Sequence, residues 1–258
     1  MKGDADVTDH HIGLIVPSSN LTMETELPRM MRAREDVEPG DRFVFHSARA
    51  RMRQVTPEQL IAMNAQAERA ALELADARPD VVTTACLVAI MAQGPGYHCV
   101  AEDSIRAVLR EEGAEAPVVS SAGALLAALG ALSARRIAVI TPYLKPLTGK
   151  VVEYLEESGV EVVDALSLEV SDNLAVGRLD PRGLREHWRR LDLTGADALV
   201  LSACVQMPSL SAIQAVEDEA GLPVLSAATA TAFCILQQLG LSPTVPNAGS
   251  LLNGKHTL

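Results

Sequence analysis

Aromatic side chains are scarce: Phe, Tyr and Trp make up 3% of the chain, with a single Trp. A core without them has to be aliphatic, built from Ala, Val, Leu, Ile and Met, which suits parallel strands packed beneath helices. Positive charge is also short. Lys and Arg number 22 against 33 Asp and Glu, a net charge of −11, which argues against nucleic acid or an anionic membrane as partner. No apolar stretch reaches the ~20 residues that a membrane span needs. The opening segment, Met1 to Asp6, is polar and acidic and lacks the apolar stretch of a signal peptide, so the expected compartment is the cytoplasm. There the four cysteines, Cys86, Cys99, Cys204 and Cys234, are expected to be reduced. Their spacing matches no zinc or haem pattern and includes no C-x-x-C, so no metal site is expected.

What the chain does contain is a motif that occurs twice. Val81-Val82-Thr83-Thr84-Ala85-Cys86 is echoed by Leu199-Val200-Leu201-Ser202-Ala203-Cys204. Each is an apolar run followed by a hydroxyl residue, an alanine and a cysteine. Ile12–Pro17 resembles Ile137–Pro142, and Ala116–Ala122 resembles Leu222–Ala228, in the same order. The offsets shrink along the chain from 125 to 118 to 106, as small loop deletions in the second copy would produce. Copies of this length are whole domains, not solenoid units. The 258 residues, 48% of them hydrophobic, suffice for two small cores.

Strand patterns are expected at 12–17, 42–47, 80–84, 117–120, 136–141, 161–166, 198–202 and 223–226. Helix patterns alternate with them near 22–33, 57–77, 99–112, 121–132, 145–158, 181–193, 209–220 and 228–239. Thr56-Pro57 and Asp180-Pro181 are helix starts, and Gly113, Gly159, Gly221 and Gly240 fall where helices stop. Strict alternation predicts an α/β fold of two pseudo-symmetric, doubly wound domains with parallel sheets. Residues 1–120 with 228–258 are expected to form one domain and 121–227 the other, the C-terminal helix crossing back. The tail beyond it carries one apolar pair, Leu251-Leu252, and is expected to have little order of its own.

Ligands of open α/β sheets bind beyond the carboxyl ends of the strands. Ser18, Ser19, Asn20, Thr84, Cys86, Tyr143, Asp172, Asn173, Ser202 and Cys204 all fall there. Duplication then sets two groups of polar residues on opposite walls of a cleft between the domains. Cys86 and Cys204 each stand at a strand-to-helix turn, where a helix N-terminus lowers a thiol's pKa. Ser18, Ser19 and Asn20 suit a carboxylate cradle, and equally a plain helix cap. Tyr143 reads as a hydrogen-bond donor or a rim residue, and Asn173 as a ligand or a turn residue. Cys99, Cys234 and His98 read as packing or structural residues. Gly94-Pro95-Gly96-Tyr97-His98 is a turn, not a dinucleotide loop.

Taken together, Gly13–Asn20, Thr22–Glu26, Ala85–Ala89, Gly94–His98, Thr141–Tyr143, Asp172–Gly177 and Ser202–Pro208 resemble the maleate cis–trans isomerases of the Asp/Glu racemase superfamily, which also holds arylmalonate decarboxylases. The resemblance covers nearly the whole chain. It implies a racemase-like fold, Cys86 as nucleophile, Cys204 as the opposing acid/base thiol, and Asn20, Tyr143 and Asn173 as carboxylate-binding groups, with Ser19 and Val205 completing the substrate-binding set. It also implies breakdown of nicotinate and related aromatics as context.

The implied chemistry is self-consistent. A C=C bond rotates only if its order is lowered, and thiolate addition to C2 of maleate does this through a covalent succinyl-type adduct, without cofactor or metal. Charge developing on the C3 side is met by preset donors. A like-charged pair at ~4 Å costs about 4 kcal/mol at an effective dielectric near 20, so a thiolate beside the maleate dianion needs those donors. Lys145, the nearest cation to a site motif, is expected to face solvent. Maleate and fumarate are therefore the expected ligands, and a homodimer the expected assembly. A two-thiol racemase or decarboxylase acting on an α-carbon acid stays open as an alternative. So does a non-catalytic carboxylate-binding protein on the same scaffold.

Overall fold

The computed structural model describes residues 7–53 and 56–258; the acidic opening segment lies outside the described residues. The strands β1 (Thr8–Pro17), β2 (Asp41–Ala50), β3 (Val81–Thr84) and β4 (Val118–Ser120) form one sheet. A second contains β5 (Arg136–Thr141), β6 (Glu161–Ser167), β7 (Ala198–Ser202) and β8 (Val224–Ser226). Both are wholly parallel, with orders β2-β1-β3-β4 and β6-β5-β7-β8. All eight expected strands are present, and the identical order is the duplication seen in three dimensions. β3 and β7 lie inside their sheets with every residue buried, which is why neither shows the apolar–polar alternation of a half-exposed strand.

Ten α-helices cover the sheets among the described residues: α1 (Met23–Glu35), α2 (Pro57–Ala75), α3 (Leu87–Met91), α4 (Tyr97–Glu111), α5 (Ser121–Ala131), α6 (Lys145–Glu157), α7 (Asn173–Val176), α8 (Leu184–His187), α9 (Leu210–Ala220) and α10 (Ala227–Gln238). The short α3 and α7 have no counterpart in the sequence reading. All five residues of α3 are buried, so it has no polar face to reveal a helical period. The helix expected at 181–193 is instead α8 between two 3-10 turns, Pro181–Gly183 and Trp188–Arg190.

α5 and α10 occupy equivalent places in the two copies and pack on each other. Each follows a serine whose hydroxyl accepts from the third residue on: Ser120 from Gly123 N at 3.0 Å, Ser226 from Thr229 N at 3.2 Å. α10 also packs on α1, β3 and β4 of the first sheet. The tail departs from expectation. Leu251 and Leu252 are buried in a 3-10 turn, and Ser250 N donates to the Glu217 carboxylate at 2.8 Å. Burying two leucines offsets the ordering entropy that a free tail would retain.

Candidate active site

In a sheet of order 2-1-3-4 the chain leaves β1 toward one face and β3 toward the other, opening a crevice between their carboxyl ends. The second sheet repeats this at β5 and β7. The two crevices face each other, so the loops after β1, β3, β5 and β7 converge. One hydrogen bond recurs in both copies just ahead of each cysteine: Ala85 N donates to Ile15 O at 2.8 Å, and Ala203 N to Ile140 O at 3.0 Å. Each bond carries its central strand one residue further and sets the following thiol at the sheet edge.

Cys86 and Cys204, each 5% exposed, line a single cavity with Asn20, Tyr143, Asn173 and Val205. Five of the expected substrate-binding and catalytic side chains, and Val205 besides, are thus brought together. Ser19 does not line this cavity. Its hydroxyl accepts from Asn173 Nδ2 at 2.7 Å, which orients Asn173. The remaining strand-end residues are supports. Ser18 Oγ bonds Met52 N and O, Asp172 caps α7 through Ala175 N, and Ser202 Oγ donates to Cys204 O at 2.9 Å. Thr84 faces a different cleft, beside Tyr97 and Gln93.

Asn20 is a helix cap that also borders the cavity. Its Oδ1 accepts from Thr22 N at 2.9 Å and Met23 N at 2.8 Å, capping α1, while Nδ2 donates to Val205 O at 3.4 Å across the cleft. An amide nitrogen carries two hydrogens, so one remains for a ligand. Tyr143 O–H lies 3.5 Å from Ala203 O and also bonds the Cys204 thiol. Among the described residues, no Lys, Arg or His lines the cavity. Lys145 is exposed, 4.0 Å from Glu169. His98 hydrogen-bonds Tyr154 at 2.5 Å, outside the cavity. Cys99 is exposed and Cys234 buried.

The thiols do not have the low pKa expected at helix N-termini. Burial pushes the Cys86 thiol up to about 12, an N–H from Ala89 opposing and the Cys204 charge adding. Burial also raises Cys204, against hydrogen bonds from Tyr143, Gln206 N and Met207 N. α3 has only five residues and so a weak dipole, and Cys204 is followed by a turn through Ser209, not by a helix. Desolvation of the charged form therefore prevails. Alkylation of Cys86 by iodoacetamide should accordingly quicken about tenfold per pH unit from pH ~7 to ~9, because only the thiolate reacts. A plateau below pH ~8.5 would show an activated thiol instead.

The thiol cavity measures about 20 Å³, room for about one water. Beside it, sharing Tyr143 and Asn173, lies a mostly apolar cleft of about 430 Å³ between α2, the end of α3 and α6. A larger cavity of about 590 Å³ lies away from the thiols, between α1 and α9.

The sequence reading missed Gln206, Met52 and Glu26. Gln206 and Met52 line the thiol cavity. Glu26, buried on α1, accepts from Ser209 N and Leu210 N at 2.7 Å each, crossing between the halves. Its signal in the sequence was a carboxylate set among Met23, Leu27 and Met30, which are buried on α1. Among the described residues no helix is long and apolar enough to cross a membrane, and no His/Cys/Asp/Glu cluster is suited to a metal ion.

A family model described as arylmalonate decarboxylase matches residues 12–252. The maleate isomerase of Geobacillus stearothermophilus is 57% identical over 245 residues, 95% of this chain and 98% of that protein. Among solved structures, a cysteine-to-alanine variant of the Pseudomonas putida maleate isomerase Iso with maleate matches with a TM-score of 0.96 at 49% identity, covering 97% of this chain and 100% of that one. A cysteine-to-serine variant of the Nocardia farcinica maleate cis–trans isomerase, carrying a covalently bound succinylcysteine intermediate, matches with a TM-score of 0.92 at 50% identity, covering 95% and 99%. With its duplicated sheets and paired thiols, the chain belongs to the maleate isomerases, within the arylmalonate decarboxylase-like family.

Proposed function

We propose that the protein converts maleate to fumarate without a cofactor, Cys86 acting as nucleophile and Cys204 as acid/base. The observation that carries this is the pair of thiols at equivalent strand ends, lining one cavity with neutral hydrogen-bond donors. Before addition Cys86 gives up its proton to solvent, against the desolvation that raises its pKa, which leaves one proton on the pair, with Cys86 as thiolate and Cys204 as thiol. Sulfur of Cys86 bonds to C2, and the π electrons move to C3 and its carboxylate. Cys204 delivers its proton to C3, giving a succinyl adduct whose C2–C3 bond is single and rotates. Cys204 as thiolate then removes a C3 proton, the double bond re-forms, and the C2–S bond breaks with its electrons on Cys86. Tyr143 O–H and the N–H groups of Gln206 and Met207 point at the Cys204 sulfur. They stabilise it as a thiolate while the adduct exists. Asn20 and Asn173 are assigned to the carboxylates as uncharged donors, with Ser19 orienting Asn173 and Val205 packing on the carbon skeleton.

Proton NMR of the purified enzyme with maleate tests this reading. The fumarate resonance should grow at the expense of maleate with no metal or cofactor added. Unchanged maleate, together with Cα deuterium exchange of an amino acid in D2O, would instead identify a two-thiol racemase.

The reading extends to residues 1–120 with 228–258 as one domain and 121–227 as the other, supported by the packing of α10 on α1, β3 and β4. It also extends to a cytoplasmic homodimer serving nicotinate breakdown. Free thiols suit a reducing compartment, two-fold dimers are the commonest assemblies, and light scattering of the purified protein measures the subunit number.

A further inference from the structure

Gln206 is 4% exposed and stands two residues beyond Cys204. Its backbone N–H donates to the Cys204 sulfur at 3.4 Å, and its carbonyl accepts from Thr22 Oγ1 at 2.6 Å. Its side chain crosses the cleft. Nε2 donates to Ser19 O at 2.9 Å and to Asn173 O at 2.8 Å, while Oε1 accepts from Leu21 N at 2.8 Å. Carbonyl oxygens only accept and a peptide N–H only donates, so the partners fix which way the amide points. Gly177 makes room for it, since a Cβ there would lie 2.9 Å from Nε2. One residue therefore ties together the loop that carries Asn20, the first turn of α7 with Asn173, and the Cys204 loop.

We propose that Gln206 is the positioning residue of this site, its side-chain amide holding the two asparagines and the Cys204 thiol in one relative geometry across the cleft. This rests on the isomerase reading above. Its own donors are engaged by backbone carbonyls, so it acts through Asn20, Asn173 and Cys204. Those groups sit on separate loops from both halves, and no other described side chain bonds the Asn20 loop, α7 and the Cys204 loop together. A displacement near 1 Å among such groups lowers turnover about 10²-fold.

The test compares wild type with Gln206→Glu, Gln206→Met and Glu26→Gln, using maleate kinetics from pH ~5 to ~8, melting temperature and the alkylation rate of Cys204. A carboxylate at position 206 would still accept from Leu21 N but would face two carbonyls without a proton to donate. Protonation at low pH returns one donor. Gln206→Glu should therefore lose about 10²-fold in kcat/KM at pH ~8, partly as a higher KM, and regain about tenfold relative to wild type near pH 5. Gln206→Met, of similar volume, should show the same loss without the recovery, and stands in for Gln206→Glu if that variant does not fold. Glu26→Gln, altering a different contact across the same interface, should lower the melting temperature and leave KM and the pH profile as in wild type.

Retention of KM and pH profile in the Gln206 variants, or losses that merely track melting temperature as in Glu26→Gln, would overturn the proposal. If wild type leaves maleate unchanged, the isomerase reading is what fails. Cys204 alkylation then decides the clasp, and should quicken about tenfold in Gln206→Met; an unchanged rate would overturn it.

Discussion

Cys86→Ser is expected to lower kcat for maleate isomerisation by at least about 10⁴-fold, with little change in melting temperature. A serine hydroxyl in a cavity that already lifts a thiol to about 12 has no accessible alkoxide, so addition to C2 stops. Four decades correspond to about 5.5 kcal/mol of barrier. The cavity and its donors stay in place, since oxygen is smaller than sulfur and Ala85 N still bonds Ile15 O. Maleate should therefore still bind the variant, measurable by calorimetry. Appreciable turnover by Cys86→Ser would remove covalent addition from the account.

Cys204→Ser is expected to lower kcat by about 10³-fold, within the range lost with a general acid/base, and to leave Cys86 covalently modified. A hydroxyl there can still lend hydrogen bonds, and Tyr143 and the N–H groups of Gln206 and Met207 still face it. Its conjugate base is out of reach, so removal of the C3 proton is the step that suffers most. The adduct forms slowly and leaves more slowly still. The two substitutions thus separate by product: Cys86→Ser accumulates nothing, whereas Cys204→Ser accumulates the adduct. Equal behaviour of the two would mean that the thiols are interchangeable, as in a racemase.

Much of this was legible in the sequence because the protein is duplicated. Eight apolar runs in a repeating order specify two parallel sheets, and the recurrence of Ala85-Cys86 as Ala203-Cys204 places both thiols at equivalent strand ends. Asn20, Tyr143 and Asn173 followed from their positions after β1, β5 and β6. Three things were hidden. The thiol pKa direction depends on desolvation, which adjacent residues do not reveal; the helix-terminus rule named a real but smaller effect at Cys86 and did not apply at Cys204. The helices α3 and α7 are too short, and α3 too uniformly buried, to show a period. Gln206 and Glu26 act across the two halves, at sequence separations near 185, and nothing local marks a glutamine that will bind a distant backbone. Ser19 shows the same limit: its place after β1 was right, but its partner is Asn173, not the cavity.

Peptide mass spectrometry of Cys204→Ser after incubation with maleate bears most directly on the chemistry. The account predicts a gain equal to one maleic acid on the peptide containing Cys86 and none on those containing Cys99 or Cys234. An unmodified Cys86 in a folded variant that binds maleate, or the added mass on another cysteine, would contradict it.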